Sequence, residues 1–205
     1  MNIINSIKEF DTNLFLYLNG RHNSFFDVVM FWASHRFLWI PLYAFFLFLA
    51  YKHFGKKIWL VVLSAVLLIV LSDQISVHAF KDVFLRYRPC HNVSIQSQVH
   101  LNDGCGGSYG FISSHACNTF ALAMFLSLLF WRKINYFTPL IFLWAAFVSY
   151  SRIYNGVHYP ADVAVGGLVG IAIGIAVFKL YLYVEKKLTA ENAEKMGEPQ
   201  RKKRK

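Results

Sequence analysis

Along this chain the apolar positions gather into long runs with polar residues crowded between them, and the runs set the predicted elements. Five runs, at about 37 to 52, 58 to 79, 115 to 131, 134 to 150 and 162 to 184, approach the roughly 20 residues that carry a helix across a bilayer. Pro41 and Pro139 lie near run ends, where a span tolerates them. Ahead of these runs, Ile3, Ile7, Phe10, Leu14 and Leu18 recur at helical spacing with Lys8, Glu9 and Asp11 between them, which predicts an amphipathic helix lying in the interface. Residues 25 to 34 are apolar yet too short to cross. With Asp27 inside, they suit a re-entrant or interfacial piece.

The predicted fold class is therefore all-α: an integral membrane helix bundle with five transmembrane helices, or six if a further span precedes residue 36, and an amphipathic N-terminal helix. It divides into an N-terminal interfacial region, 1–35, a transmembrane domain, 36–184, and a basic tail, 185–205. Composition agrees with this class. Hydrophobic residues make up 56% and charged residues 16%, a balance that excludes an ordinary soluble domain. The start, Met1-Asn2-Ile3-Ile4-Asn5, has neither a basic region nor a small-residue cleavage site, so insertion is expected to rely on the spans themselves.

The net charge of +10 changes the picture only through its placement. Residues 179 to 205 hold nine Lys/Arg against four Glu, half of the excess, so the charge reads as a cytoplasmic anchor touching anionic headgroups and not as a nucleic-acid surface. Lys52, Lys56 and Lys57 fall in one connection and Arg132 with Lys133 in another, which assigns both to the cytoplasmic side. With five spans, connections 80 to 114 and 151 to 161 then share the outer face. Gly166, Gly170 and Gly174 line one face of the last span, for close packing inside the bundle or at a homodimer seam, so monomer and homodimer both stay open.

Cys90 and Cys105 both lie in the long outer connection, where a disulfide would close a loop of about 15 residues and stabilise it by about 3 kcal/mol; two free buried thiols are the alternative. Cys117 reads as packing. A zinc site at Cys90, His91 and Cys105 is rejected because no paired Cys-x-x-Cys spacing supports it, and no metal or other cofactor is expected.

Three polar clusters fall on that outer face at span ends, where ionisable groups are costly and mark function. Lys81, Arg88 and Arg152 would gather three cations that repel one another unless an anion joins them. Phosphate fits guanidinium forks and a compact ammonium. Arg86 and Lys179 read instead as snorkelling to headgroups. Ser113 and Ser114 precede a span, so one of them caps it and leaves backbone N–H groups facing an anion. Pro160 keeps Tyr159 out of helix, placing His158 on the loop and Asp162 in the first turn of the last span. A carboxylate on one imidazole nitrogen leaves the other as an oriented base or nucleophile, and His115 is a second imidazole suited to protonating a departing oxygen. His53, His78 and His100 read as hydrogen-bonded core residues, and Ser151 takes no chemical role.

The blocks Lys81-x6-Arg88-Pro89, Ser113-Ser114-His115 and Ser151-Arg152-x5-His158-x3-Asp162 resemble, in order and spacing, the three signature motifs of the type 2 phosphatidic acid phosphatase superfamily. The family's middle motif usually reads Pro-Ser-Gly-His, whereas here Ile112-Ser113-Ser114-His115 puts a hydroxyl where Gly stands. The resemblance implies a lipid phosphate substrate. It implies that Lys81, Arg88, Ser113, Ser114 and Arg152 hold the phosphoryl oxygens, that His158 attacks phosphorus to form a phosphohistidine, that Asp162 orients it and that His115 protonates the leaving oxygen, without metal. It further implies a bacterial inner-membrane protein with its site facing the periplasm. Undecaprenyl pyrophosphate is the first substrate expected, with lipid A or phosphatidylglycerol phosphate as alternatives and a lipid transporter that keeps a phosphate site as the non-enzyme reading.

Overall fold

The computed structural model describes residues 3–197, and the basic cluster at 201–205 lies outside them. Among the described residues the structure is helical, and its β structure is an isolated bridge between Tyr87 and Tyr109. Helix α1 (Ile3–Asn19) turns Asp11, Phe15 and Asn19 inward, one residue per turn, and leaves Ile3, Ile4, Ile7 and Phe10 exposed. This corrects the expectation that Asp11 belongs with the polar residues of an interfacial helix. Buried polar groups need partners, and these have them. Asn19 donates to the Tyr154 carbonyl at 2.7 Å and accepts the His100 N–H at 2.8 Å.

Helix α2 (Ser24–Ser34) is the short apolar stretch, capped by Asn23, whose side chain accepts the Phe26 N–H at 2.9 Å. It packs on the end of α7 (Phe137–Tyr154), where the Tyr154 hydroxyl donates to Asp27 at 2.8 Å. Helices α3 (Ile40–Phe54) and α4 (Ile58–Gln74) are separated at Gly55, which has φ +53°. The helical stretch 36–84 that contains them has 49 residues. At about 1.5 Å per residue it is more than twice the roughly 30 Å of a hydrocarbon core, so it must turn back to stay in one.

Helix α4 runs on through a π-helical segment, Ile75–Lys81, into α5 (Asp82–Phe84). The stretches 36–84 and 160–192 are apolar and long enough to cross a membrane. Their outward side chains, among them Phe45, Phe48, Leu63, Val66 and Leu168, are exposed. That is a face suited to lipid and not to water.

Helix α6 (Ser114–Leu129) is the centre of the bundle. It packs against α4, α7 and α8 (Pro160–Gly197), with Ala116, Cys117, Ala121, Ala123 and Phe125 fully buried. Gly166 and Gly174 lie so near α6 that an added Cβ would stand 2.7 Å from the Ser113 carbonyl and 2.6 Å from that of Ala121; Gly170 meets Cys117 in the same way. The small-residue face is thus occupied inside the protomer by α6.

Two ends of the bundle differ in chemistry. At one, Lys57 of the α3–α4 link pairs with Glu185 of α8 at 3.0 Å, and Lys133 of the α6–α7 link lies 4.0 Å from the Phe54 ring. At the other, the connection from 85 to 113 folds over the ends of α6, α7 and α8, closed by a disulfide between Cys90 and Cys105 whose Cα atoms are 6.1 Å apart. Helix α7 reaches Tyr154, one turn beyond the predicted end at 150, so Ser151 and Arg152 belong to its last turn. It stops at Gly156, whose φ of +80° and whose approach to the His100 carbonyl, 2.6 Å from where a Cβ would be, leave no room for a side chain.

Candidate active site

Each polar cluster arrives at this second end on a different element. Leu85 ends α5 in the left-handed region at φ +47°, and the chain then runs on through the Tyr87–Tyr109 bridge with Arg86 and Arg88 on the side opposite Tyr87, as alternation requires. Arg88 is anchored by its own Nε, which donates to the Gly107 carbonyl at 2.7 Å, and its Nη1 donates to the Val157 carbonyl at 3.2 Å. The same Nη1 lies 3.1 Å from His158 Nε2. A guanidinium can only donate, so Nε2 is the acceptor and the ring proton sits on Nδ1.

His158 is buried on the short α7–α8 loop, its N–H donating to the Arg152 carbonyl at 3.2 Å. Burial, followed by the positive charges of Arg88, Arg152 and Lys81, pushes its pKa well below the ordinary histidine range. The ring is therefore neutral at physiological pH. Its Nδ1 stands 3.4 Å from Asp162 Oδ2 without forming a hydrogen bond, and that oxygen accepts the Tyr159 N–H at 3.0 Å. Gly110 closes this side of the ring: a Cβ there would come 3.5 Å from Nδ1 and 3.4 Å from Oδ2.

Ser113 caps α6, its hydroxyl accepting the Ala116 N–H at 3.4 Å while its own N–H donates to the Asp162 carbonyl at 3.0 Å. The α6 start and the α8 start are thereby joined directly. Lys81, last residue of the π-helical segment, donates to Ser114 Oγ at 2.6 Å, and Ser114 shares a second hydrogen bond of 2.7 Å with Ser76. The hydroxyl that replaces the expected glycine thus holds the lysine. His115 follows in the first turn of α6, beside the Ser34 backbone and within electrostatic reach of Arg152 and His158. Arg152 Nη1 reaches Asp103 at 3.4 Å, whereas its Nε is buried with no partner.

Lys81, Arg88, Arg152, Ser113, Ser114, His115, His158 and Asp162 are thus gathered at one end of the bundle. A buried neutral imidazole presents Nε2 toward a guanidinium, with two further cations and a helix N-terminus nearby, an arrangement suited to a tetrahedral oxyanion. Four residues of the neighbourhood were not singled out from sequence. Arg86 is no snorkelling side chain: it donates to Asp162 Oδ1 at 2.9 Å and to Asp11 Oδ2 at 2.7 Å. Its two-residue offset from Arg88 was the available signal. Asp11, Ser76 and Asp103 gave none, since a helix register, a π-turn and a loop path bring them in.

Of the three histidines read as hydrogen-bonded core residues, two lie at the surface. His78 is exposed and pairs with Asp82 at 2.9 Å; His53 is exposed against the Phe130 ring. His100 is partly exposed, stacked on His22 with ring centroids 3.6 Å apart and bonded to Asp27 at 2.9 Å.

Comparison with known proteins agrees with this picture. The family model described as PAP2 superfamily matches residues 61–186. A lipid A 4'-phosphatase of Porphyromonas gingivalis is 39% identical over 179 residues, covering 86% of this chain and 75% of that protein. An undecaprenyl-diphosphatase of Sulfolobus acidocaldarius is 31% identical over 166 residues, covering 78% of this chain and 73% of that protein. The crystal structure of Aquifex aeolicus LpxE superposes with a TM-score of 0.60 at 26% identity, over 82% of this chain and 94% of that one.

Proposed function

The chain belongs to the PAP2 superfamily and is an integral membrane lipid phosphatase, a phosphomonoester hydrolase, and from that premise we propose that it removes the 4'-phosphate of lipid A. Undecaprenyl pyrophosphate, the substrate expected first from the motifs, gives way to lipid A because the 39% relative acts on lipid A and the undecaprenyl-diphosphatase relative stands further off at 31%. The motifs themselves hold a phosphoryl group and say nothing of the lipid.

The chemistry rests on one observation: Arg88 donates to Nε2 of a buried, neutral His158 whose ring proton faces Asp162. In the proposed reaction Lys81, Arg88, Arg152, the Ser113 hydroxyl and the Ser114 backbone N–H at the α6 N-terminus take the phosphoryl oxygens. On phosphate entry Arg88 Nη1 turns from Nε2 to a phosphoryl oxygen. The freed His158 Nε2 lone pair forms the N–P bond as the bond from phosphorus to the sugar oxygen breaks, and His115, entering the step as an imidazolium beside the phosphate anion, gives that oxygen its proton. Asp162 balances the charge left on the ring. Water, deprotonated by His115, then attacks phosphorus and returns His158 with release of inorganic phosphate, so the cycle needs no metal.

The reaction is placed at the outer leaflet, with α3, α4, α6, α7 and α8 as five spans. The basic links at Lys56–Lys57 and Arg132–Lys133 support this, standing at the end of the bundle away from His158. The test offers purified chain lipid A and undecaprenyl pyrophosphate side by side, with chelator and with a His158→Ala variant. Phosphate release from lipid A, indifferent to chelator and abolished in the variant, is expected. Release from undecaprenyl pyrophosphate alone would overturn the substrate, and equal release by the variant would overturn the mechanism.

A further inference from the structure

The catalytic dyad is not the end of the chain of contacts at Asp162. Asp162 is fully buried, and its two oxygens are divided: Oδ2 accepts the Tyr159 N–H and faces His158, while Oδ1 accepts from Arg86 Nη1 at 2.9 Å. The other terminal nitrogen of Arg86 donates to Asp11 Oδ2 at 2.7 Å. The remaining oxygen of Asp11 accepts the Ala161 N–H at 2.8 Å, in the first turn of α8, one residue from Asp162. The guanidinium plane rests over the Tyr159 ring, its Cζ 3.9 Å from the centroid. A planar fork with both ends engaged and one face stacked has no rotational freedom left.

The charges around Asp162 make that immobility matter. Arg86 and Arg88 lie on the same side of one short segment, and Lys81 and Arg152 approach from the π-helical segment and from α7. A fourth free cation would compete with these three for a phosphoryl group. Asp11 draws Arg86 away from that group and toward the carboxylate, and α1 is held against α8 by the same contact. A purely structural ion pair would tie α1 to α8 without touching the oxygen opposite the one that faces the nucleophile. This one sets the carboxylate plane.

We propose that Arg86 and Asp11 are positioning residues of the phosphatase reaction: Asp11, on the N-terminal helix, fixes Arg86, and Arg86 fixes Asp162 in the orientation that presents Oδ2 to His158 Nδ1. The proposal rests on the phosphatase reading of His158 and Asp162, and the experiment separates the two. Full-length protein in detergent is assayed on lipid A and on undecaprenyl pyrophosphate as wild type, His158→Ala, Asp11→Asn, Arg86→Gln, Arg86→Lys and the Asp11→Asn/Arg86→Gln pair. Steady-state kcat and KM are measured for each.

Asp11→Asn and Arg86→Gln are each expected to lower kcat about 10- to 100-fold while KM stays within about threefold, because the phosphate-holding cations are untouched. The double variant is expected to be no slower than the slower single one, since both act through one chain of contacts. Arg86→Lys, which keeps the charge but can serve one carboxylate at a time, should fall between wild type and Arg86→Gln. Asn at position 11 still accepts the Ala161 N–H, so this variant and Arg86→Lys carry the test if Arg86→Gln does not fold. Wild-type kcat in Asp11→Asn and in the Arg86 variants, or losses that multiply in the pair, would overturn the proposal while an inactive His158→Ala leaves the phosphatase reading intact. An active His158→Ala would overturn that reading instead.

Discussion

Arg88 Nη1 donates to His158 Nε2 at 3.1 Å while the Nε of the same guanidinium holds the Gly107 carbonyl at 2.7 Å, so a single side chain ties the disulfide-closed loop to the imidazole proposed as nucleophile. Lysine keeps the charge but cannot make both contacts. Arg88→Lys is expected to lower kcat/KM about 10- to 100-fold, on the basis of roughly 1.5–3 kcal/mol for a charge-assisted hydrogen bond. Phosphate release by the purified variant measures it, and a wild-type value would remove Arg88 from the site.

His158 also carries a pH signature. Its ring is held neutral by burial and by Arg88, Arg152 and Lys81, with Asp162 and His115 as the other titratable neighbours. An unfolded chain would protonate the same histidine near its ordinary pKa of about 6.5. The native state therefore loses stability relative to the unfolded one as pH falls below that value. Between pH 7.5 and 5.5, the thermal midpoint of wild type in detergent should drop further than that of His158→Gln. Parallel drops would contradict the depressed pKa.

Ser114 gives a third expectation. Its hydroxyl accepts from Lys81 and pairs with Ser76, so Ser114→Ala frees the ammonium that the π-helical turn delivers. A loss of about tenfold in kcat/KM is expected, consistent with one charge-assisted contact. Ser76→Ala should reproduce a smaller part of it, because Lys81 keeps its direct partner. Kinetics of both variants on one lipid phosphate would decide, and full activity of Ser114→Ala would show the hydroxyl to be idle.

The Cys90–Cys105 bond spans 15 residues of the loop that carries the Arg88 anchor. Replacing both by Ser should cost up to about 3 kcal/mol on the chain-entropy estimate. The thermal midpoint of wild type in reductant should fall toward that of the double variant. No difference between oxidised and reduced protein would assign the bond no stabilising part.

The helices and the eight proposed site residues were legible because apolar runs and motif spacing are local properties. What escaped depended on rotation about an axis or on a path through space. Asp11 sits in a helix that was recognised, yet which of its faces turns inward is decided by Arg86, 75 residues away. Helix α7 runs a turn past its apolar run because Ser151 and Arg152, polar enough to read as loop, are helical and buried. Their burial is supported by the folded connection above them and by Gly156. Ser76 faces Ser114 only because the last turn of α4 widens into a π-helix, a register change that periodicity does not reveal. The substrate was read least well, since phosphate-binding residues carry no record of the lipid.

Where Gly166, Gly170 and Gly174 let α8 lie directly on α6, the helix that carries His115 in its first turn and the helix that carries Asp162 in its first turn become one stiff strut with those turns side by side. The spacing between the proposed proton donor, His115, and the proposed nucleophile, His158, is then a thickness, set by how closely two backbones can lie in the apolar depth of the bundle. A methyl group added at Gly170, two turns below the proposed site, would wedge the strut apart and move those two imidazoles relative to one another.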